Sequence, residues 1–282
     1  MKKLFGVIGD PIAQSMSPVM HNDAFERVGI DAYYHPFHVQ PAHLSAAVQG
    51  MKAIGVNGFN VTIPHKAAII PLLDRVDPLA KSIGAVNTVV WENDGWTGYN
   101  TDGSGFVRGL QEEYGTSLEG KNMLVIGAGG AARAIYYTLA FEGAGRIDIA
   151  NRTVEKGLEL LNGCPVPVEG AAFSVAEAAE QLEVYDIIVQ TTSIGMVPLT
   201  DESPLPVDRL KQGTFLSDII YNPLETKIMR EAKLRGARVQ SGLKMFVYQG
   251  ALAFEKWTGL TPDTKRMEEV VLNQLEEKNV NN

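Results

Sequence analysis

The chain has 282 residues, enough for two domains each with its own core, and its 45% hydrophobic and 21% charged residues are globular proportions that exclude wholesale disorder. A net charge of −8 leaves no basic footprint, so neither nucleic acid nor a membrane is expected as a partner, and any anionic ligand has to be held by a few local cations and backbone N–H groups. The single cysteine, Cys164, cannot form an intrachain disulfide, which suits a reducing cytoplasm.

Leu4 to Gly9 is an apolar run stopped by Asp10-Pro11, too short for a signal-peptide core, and it predicts a first strand. The loop beyond it carries the hydroxyls of Ser15 and Ser17. Ser17 before Pro18 reads as an N-cap followed by proline at the first helical position, with Gly29 as the stop of a helix that runs to about Val28. A strand over 32–39, a helix from about 42 to 54 closed by Gly55, and a strand over 58–62 continue the alternation. Ile63-Pro64-His65-Lys66 then turns into a further helical segment. The runs 85–92 and 96–99, separated by Asn93-Asp94-Gly95, predict a hairpin. This half has no glycine fingerprint and is the expected substrate domain.

Asn100-Thr101-Asp102-Gly103 ends that half, and a helix to about Tyr114 leads into the next. Strands are predicted near 122–126, 146–150, 186–191, 214–218 and 238–241, with helices between them such as 154–161 and 225–235, the pattern of a doubly wound nucleotide-binding sheet. Helical segments over 244–257 and from 262 to about 278 close the chain, and such an ending commonly packs back across a first domain. The expected fold is therefore α/β in two domains. Residues 1–101 with 243–282 form a substrate-binding and catalytic domain with a mainly parallel sheet, and residues 102–242 a Rossmann-type nucleotide-binding domain.

The strand 122–126 runs into Gly127-Ala128-Gly129-Gly130-Ala131-Ala132, a Gly-x-Gly-x-x-Ala turn that opens a helix. Gly127 permits the turn, Gly129 lets the backbone approach a pyrophosphate, and Ala132 takes the close-packing position. The phosphates would rest on free N–H groups at the helix N-terminus, where the dipole favours anions. In such folds the residue ending the second strand, about 20 positions on, meets the adenosine ribose. Here that strand ends Asn151-Arg152-Thr153, with Lys156 nearby and no acidic residue at the turn. Guanidinium suits a phosphate, and a charge-assisted hydrogen bond contributes about 1.5–3 kcal/mol, so the residues point to NADP rather than NAD.

Eight segments in order resemble the shikimate dehydrogenase family, over nearly the whole chain. In the first half they are Gln14-Ser15-Met16-Ser17-Pro18-Val19-Met20-His21-Asn22, Asn60-Val61-Thr62-Ile63-Pro64-His65-Lys66, Gly84-Ala85-Val86-Asn87-Thr88 and Asn100-Thr101-Asp102-Gly103. In the second they are the glycine turn, Asn151-Arg152-Thr153, Asp218-Ile219-Ile220-Tyr221-Asn222-Pro223, and Gly242 through Gln249-Gly250-Ala251. The resemblance implies reversible NADPH-dependent reduction of 3-dehydroshikimate to shikimate, in the route through chorismate to aromatic amino acids, by a cytoplasmic enzyme and a homodimer. It implies that Lys66 and Asp102 are the catalytic pair, Lys66 giving the proton while Asp102 orients it and meets a ring hydroxyl. It assigns the substrate carboxylate to Ser15 and Ser17 and the remaining ring contacts to Thr62, Asn87, Tyr221 and Gln249, with Ile219 and Gly242 joining the cofactor site.

His65, beside Lys66, is expected to be structural. No histidine or cysteine spacing suggests a metal, so none is expected. Gln190 stands where relatives more often have asparagine, which bears on cofactor contacts there. Two rivals are an NAD-preferring quinate/shikimate dehydrogenase, against which Arg152 speaks, and a non-enzymatic NADP sensor, against which the presence of Lys66, Asp102, Ser15 and Thr62 speaks.

Overall fold

A computed structural model of the chain describes residues 2–280. It divides into two compact units, Met1–Thr101 with Gln249–Asn282, and Asp102–Tyr248. The later division falls inside the helix Leu243–Thr258, whereas the sequence suggests it at the helix start.

The first unit is built on a six-stranded sheet of β1 (Lys3–Gly9), β2 (Ala32–His38), β3 (Gly58–Val61), β4 (Arg75–Val76), β5 (Thr88–Glu92) and β6 (Gly95–Tyr99), in the order β2-β1-β3-β5-β6-β4. β1 pairs parallel with β2 and β3, and β4 with β6. Only β5 runs against its neighbours, because a two-residue connection forces antiparallel pairing. That connection is Asn93-Asp94, both at positive φ (48° and 59°), as the primed hairpin turn demands. One face of the sheet buries Ile8, Phe59, Val61, Val89 and Trp96 with Leu44, Val48 and Met51 of the helix Leu44–Ala53. On the other, Phe25 stacks on Phe5 and packs at a tilt against Phe254, with ring centroids 4.9 Å apart in each case, and Trp257 Nε1 donates to Val89 O at 3.0 Å. The chain's end thus returns to the first sheet, with Trp257 so close to Gly58 that a Cβ there would lie 2.4 Å from the indole nitrogen.

Two local expectations are corrected. The helix Ser17–Arg27 takes Met16 as its N-cap residue with no side-chain cap, so Ser17 lies in the first turn and its hydroxyl does not cap the helix. The segment after Lys66 forms turns with one 3₁₀ piece, Ile70–Leu72, instead of an α-helix. Pro71 lacks the N–H that would continue a helix and disfavours the helical region for Ile70.

The second unit holds six parallel strands, β7 (Asn122–Ile126), β8 (Arg146–Ala150), β9 (Ala172–Phe173), β10 (Ile187–Gln190), β11 (Phe215–Asp218) and β12 (Arg238–Gln240), in the order β12-β11-β10-β7-β8-β9. Met123, Leu124, Val125, Ile187, Ile188 and Val189 are all buried, as expected of central strands covered on both faces. The order reverses between β7 and β10, the place where such sheets bind ligands beyond the carboxyl ends of their strands. Among the described residues no helix is long and apolar enough to cross a membrane.

Candidate active site

In the first unit, polar side chains gather on strands that are otherwise apolar. Asn87, immediately before β5, is buried. Its Oδ1 accepts from Thr101 N at 2.8 Å and Thr88 Oγ1 at 3.0 Å, while its Nδ2 donates to Thr101 Oγ1 at 3.0 Å and Gln249 Oε1 at 3.5 Å. The backbone N–H of Thr101 can only donate, so the carbonyl side of the Asn87 amide must face it and the NH₂ must face Gln249. Asn60 on β3 continues the network: its Nδ2 donates to Asn87 O at 3.0 Å and Thr88 Oγ1 at 3.1 Å, and its Oδ1 accepts from Tyr34 Oη at 2.7 Å. Burial pushes the Tyr34 phenol well above its usual range, so it stays a donor. Sequence reasoning assigns no individual role to Tyr34, Asn60, Thr88 or Thr101. The available signal is the presence of amide and hydroxyl side chains among the buried residues of β3 and the start of β5.

Thr62 and Lys66 follow β3 and are half-buried. Thr62 N donates to Ile8 O at 2.9 Å, which ties it to β1, and Lys66 O accepts from Val86 N at 2.8 Å, which ties it to the segment leading into β5. His65 between them is buried with Nε2 2.6 Å from Val39 O, which makes that nitrogen the donor and the ring a brace for the loop. Ser15 is half-buried and its Oγ accepts from Ser17 N at 3.3 Å; Ser17 is buried.

Asp102 opens the second unit as the first residue of the helix Asp102–Tyr114, where the helix dipole favours a carboxylate. Gly127 follows β7 with φ 113°, and a Cβ there would lie 2.6 Å from Thr191 Oγ1. Ala128 joins it to Gly129, the N-cap residue of the helix Gly130–Phe141. A Cβ on Gly129 or Gly130 would meet nothing within 4 Å, so that stretch of backbone faces open space. The hydrogen bond from Arg133 N to Gly129 O, 2.9 Å, starts the helix. The N–H groups of Gly130, Ala131 and Ala132 therefore have no acceptor within the helix. Ala132 is fully buried. An open cradle of N–H donors on a close-packed helix fits a dinucleotide pyrophosphate.

At the end of β8, Asn151 Nδ2 donates to Thr153 O at 2.7 Å and closes the turn that carries Arg152. Arg152, Thr153 and Lys156 are exposed, and among the described residues neither Arg152 nor Lys156 makes an ion pair. Two unpaired cations beside a turn with no carboxylate fit a ribose 2′-phosphate.

Ile219 follows β11 and donates its N–H to Gln190 O at 3.1 Å. Tyr221 is half-buried against Phe246, ring centroids 4.8 Å apart, and burial raises its phenol above the ordinary value. A Cβ on Gly242 would lie 1.9 Å from Ile219 O, which only glycine permits. Asp218, inside one of the family-like segments but with no role expected from the sequence, is fully buried; Oδ1 accepts from Ile220 N at 2.9 Å and Oδ2 from Thr226 Oγ1 at 2.7 Å. Burial pushes its carboxyl up to about 6, against the pull of those two hydrogen bonds. Among the described residues no group of three or more His, Cys, Asp or Glu side chains is arranged to hold a metal.

Three family models match the chain in order: the shikimate dehydrogenase substrate binding domain over residues 7–89, shikimate / quinate 5-dehydrogenase over 110–228, and the shikimate 5′-dehydrogenase C-terminal domain over 242–272. A curated shikimate dehydrogenase (NADP(+)) of Bacillus cereus strain AH187 is 57% identical over 275 residues, covering 98% of this chain and 99% of that one. Among solved structures, the shikimate 5-dehydrogenase of Listeria monocytogenes in complex with shikimate and NAD is similar with a TM-score of 0.91 and 35% identity, covering 96% of each chain. The shikimate 5-dehydrogenase of Thermus thermophilus in complex with NADP(H) and shikimate gives 0.86 and 36%, covering 96% of this chain and 99% of that one.

Proposed function

The chain belongs to the shikimate dehydrogenase family, and from that premise we propose that it reversibly reduces 3-dehydroshikimate to shikimate with NADPH, in the chorismate route to aromatic amino acids. It is an NADP-dependent oxidoreductase acting on a CH–OH group. Its first unit holds the substrate and its second the cofactor. The observation that carries this reading is the buried amide network, which joins Asn87 to Gln249 across 162 residues of sequence and fixes the direction of the Asn87 amide.

NADPH, when bound, supplies the hydride. Gly127 to Ala131 and the helix N-terminus hold its pyrophosphate, Asn151, Arg152, Thr153 and Lys156 its adenosine phosphate end, and Ile219 and Gly242 shape the wall of the same site. Ser15 and Ser17 take the substrate carboxylate, and Thr62, Asn87, Tyr221 and Gln249 the remaining oxygens. Lys66 gives a proton to the ring oxygen as negative charge builds on it, its ammonium stabilising that charge before transfer. Asp102 accepts a hydrogen bond from a ring hydroxyl and keeps the substrate in register.

The test follows nicotinamide absorbance with shikimate or quinate, each with NADP+ or NAD+, for the native chain and for Lys66→Ala. The highest kcat/KM is expected for shikimate with NADP+, and a loss of about 10²–10⁴ in kcat is expected for the variant. Preference for quinate with NAD+ would replace the substrate and cofactor assignment, and near-native turnover by Lys66→Ala would remove Lys66 from the chemistry.

A further inference from the structure

Gln190 is the last residue of β10 and is in register with Ile126 of β7 on one side and Asp218 of β11 on the other. It therefore stands between the two strands whose following residues are Gly127 and Ile219. Its side chain is fully buried, and both of its N–H donors and one lone pair of its oxygen are used locally. Nε2 donates to Thr192 O and to Ile194 O, both at 3.0 Å, and Oε1 accepts from Thr192 N at 2.6 Å. The two carbonyls and the one N–H leave only one orientation for this amide. A carboxamide so engaged has no N–H left for a ligand, so any effect it has on a bound molecule is transmitted through the turn it holds.

The next contacts show where that effect goes. Thr191 N donates to Ile126 O at 2.9 Å, and Thr191 Oγ1 donates to the same oxygen at 2.6 Å. Thr191 Oγ1 and Thr192 Cγ2 lie 2.6 and 3.1 Å from where a Cβ on Gly127 would stand, so both threonines fill the space beside the glycine that opens the turn. The main chain of Gln190 also accepts from Ile219 N at 3.1 Å. An asparagine at this position would end about one C–C bond, about 1.5 Å, short, and could not span the residues two and four positions on at once.

We infer that Gln190 is a positioning residue of the cofactor site: its buried carboxamide locks the turn Thr191 to Ile194, and Thr191 and Thr192 in turn set the position of the Gly127 cradle. The inference rests on the NADP reading given above. It goes beyond that reading in assigning cofactor affinity to a side chain that does not touch the cofactor.

The experiment measures NADP+ dissociation constants by titration calorimetry, KM for shikimate and for NADP+, kcat, and the thermal midpoint of the unliganded protein, for native chain, Gln190→Leu and Gln190→Asn. Gln190→Leu keeps the approximate volume and removes three hydrogen bonds; it should weaken NADP+ binding about tenfold or more, leave KM for shikimate within about twofold, and be partly rescued in Gln190→Asn, whose shorter amide reaches Thr192 alone. Equal NADP+ affinity in all three proteins, or a rise in both KM values that follows the thermal midpoint, would overturn the inference and leave Gln190 a stability residue. Should Gln190→Leu not fold, Thr191→Val, which removes the side-chain bond to Ile126 O while keeping the shape, must show the same split, and native affinity there refutes the relay. Absence of NADP+ binding by the native chain would instead overturn the function from which the inference starts.

Discussion

His21 offers a test of how the first unit responds to acid. The ring is fully buried, and neither Nδ1 nor Nε2 has a hydrogen-bond partner among the described residues. It stacks on Tyr34 at 4.5 Å between ring centroids, with Trp257 at 5.3 Å and Phe254 at 6.4 Å. Burial lowers its pKa from 6.5 to about 3, so the ring is neutral in the folded chain throughout the usable pH range. The unfolded chain binds a proton below pH 6.5 that the folded chain refuses until about pH 3, and stability therefore falls as pH falls through that window. At about 1.4 kcal/mol per pH unit, going from neutrality to pH 5 costs about 2 kcal/mol from this residue alone. His21→Phe keeps a flat ring among aromatic neighbours and removes the titration. Urea unfolding of both proteins at pH 7, 6 and 5 should show the native chain losing about 2 kcal/mol more than the variant by pH 5. Parallel losses would refute the assignment, because they would mean that His21 can be protonated in place or that it reaches water.

Asp218 slopes the other way: its carboxyl sits at about 6 when folded against an ordinary 3.8, so its contribution to stability is present below pH 3.8 and lost as pH rises through 6. Asp218→Asn should accordingly gain on the native chain between pH 4 and pH 7, by about 2–3 kcal/mol in urea unfolding, and an unchanged difference across that range would contradict it. These opposed slopes flatten the native pH profile, and variant-minus-native differences separate them. Arg152→Ala should reduce the ratio of kcat/KM for NADP+ over NAD+ about ten- to hundredfold, and an unchanged ratio would remove Arg152 from phosphate recognition. Gly242→Ala places a methyl group 1.9 Å from Ile219 O, so the thermal midpoint should fall by the equivalent of about 2 kcal/mol or more, with a native midpoint as the contrary result.

Much of the architecture is legible in the chain because its signals are local. The glycine turn, the Asn93-Asp94 hairpin and the strands of four or more residues each depend on a backbone or periodicity requirement confined to a few neighbours. β4 and β9, two residues each, are invisible to such reasoning because two residues carry no period. The segment after Lys66 departs from expectation because its apolar residues suggest a helix that Pro71 does not allow. At Ser17 the residue types of a cap are present, yet the chain enters the helix one residue earlier, with Met16 in a helical conformation.

By itself the sequence determined the α/β alternation, the family and the chemical types assembled for the reaction, since side-chain identity and short-range spacing are properties of the chain alone. Only the tertiary structure decided which way those groups point. The direction of the Asn87 amide is set by Thr101, 14 positions on, and its partner Gln249 is 162 away. Gln190 became a holder of the turn beside Gly127 because parallel pairing set β10 next to β7. A buried amide must match every donor to an acceptor, and those partners are supplied by strand order and register, which no local stretch of sequence contains.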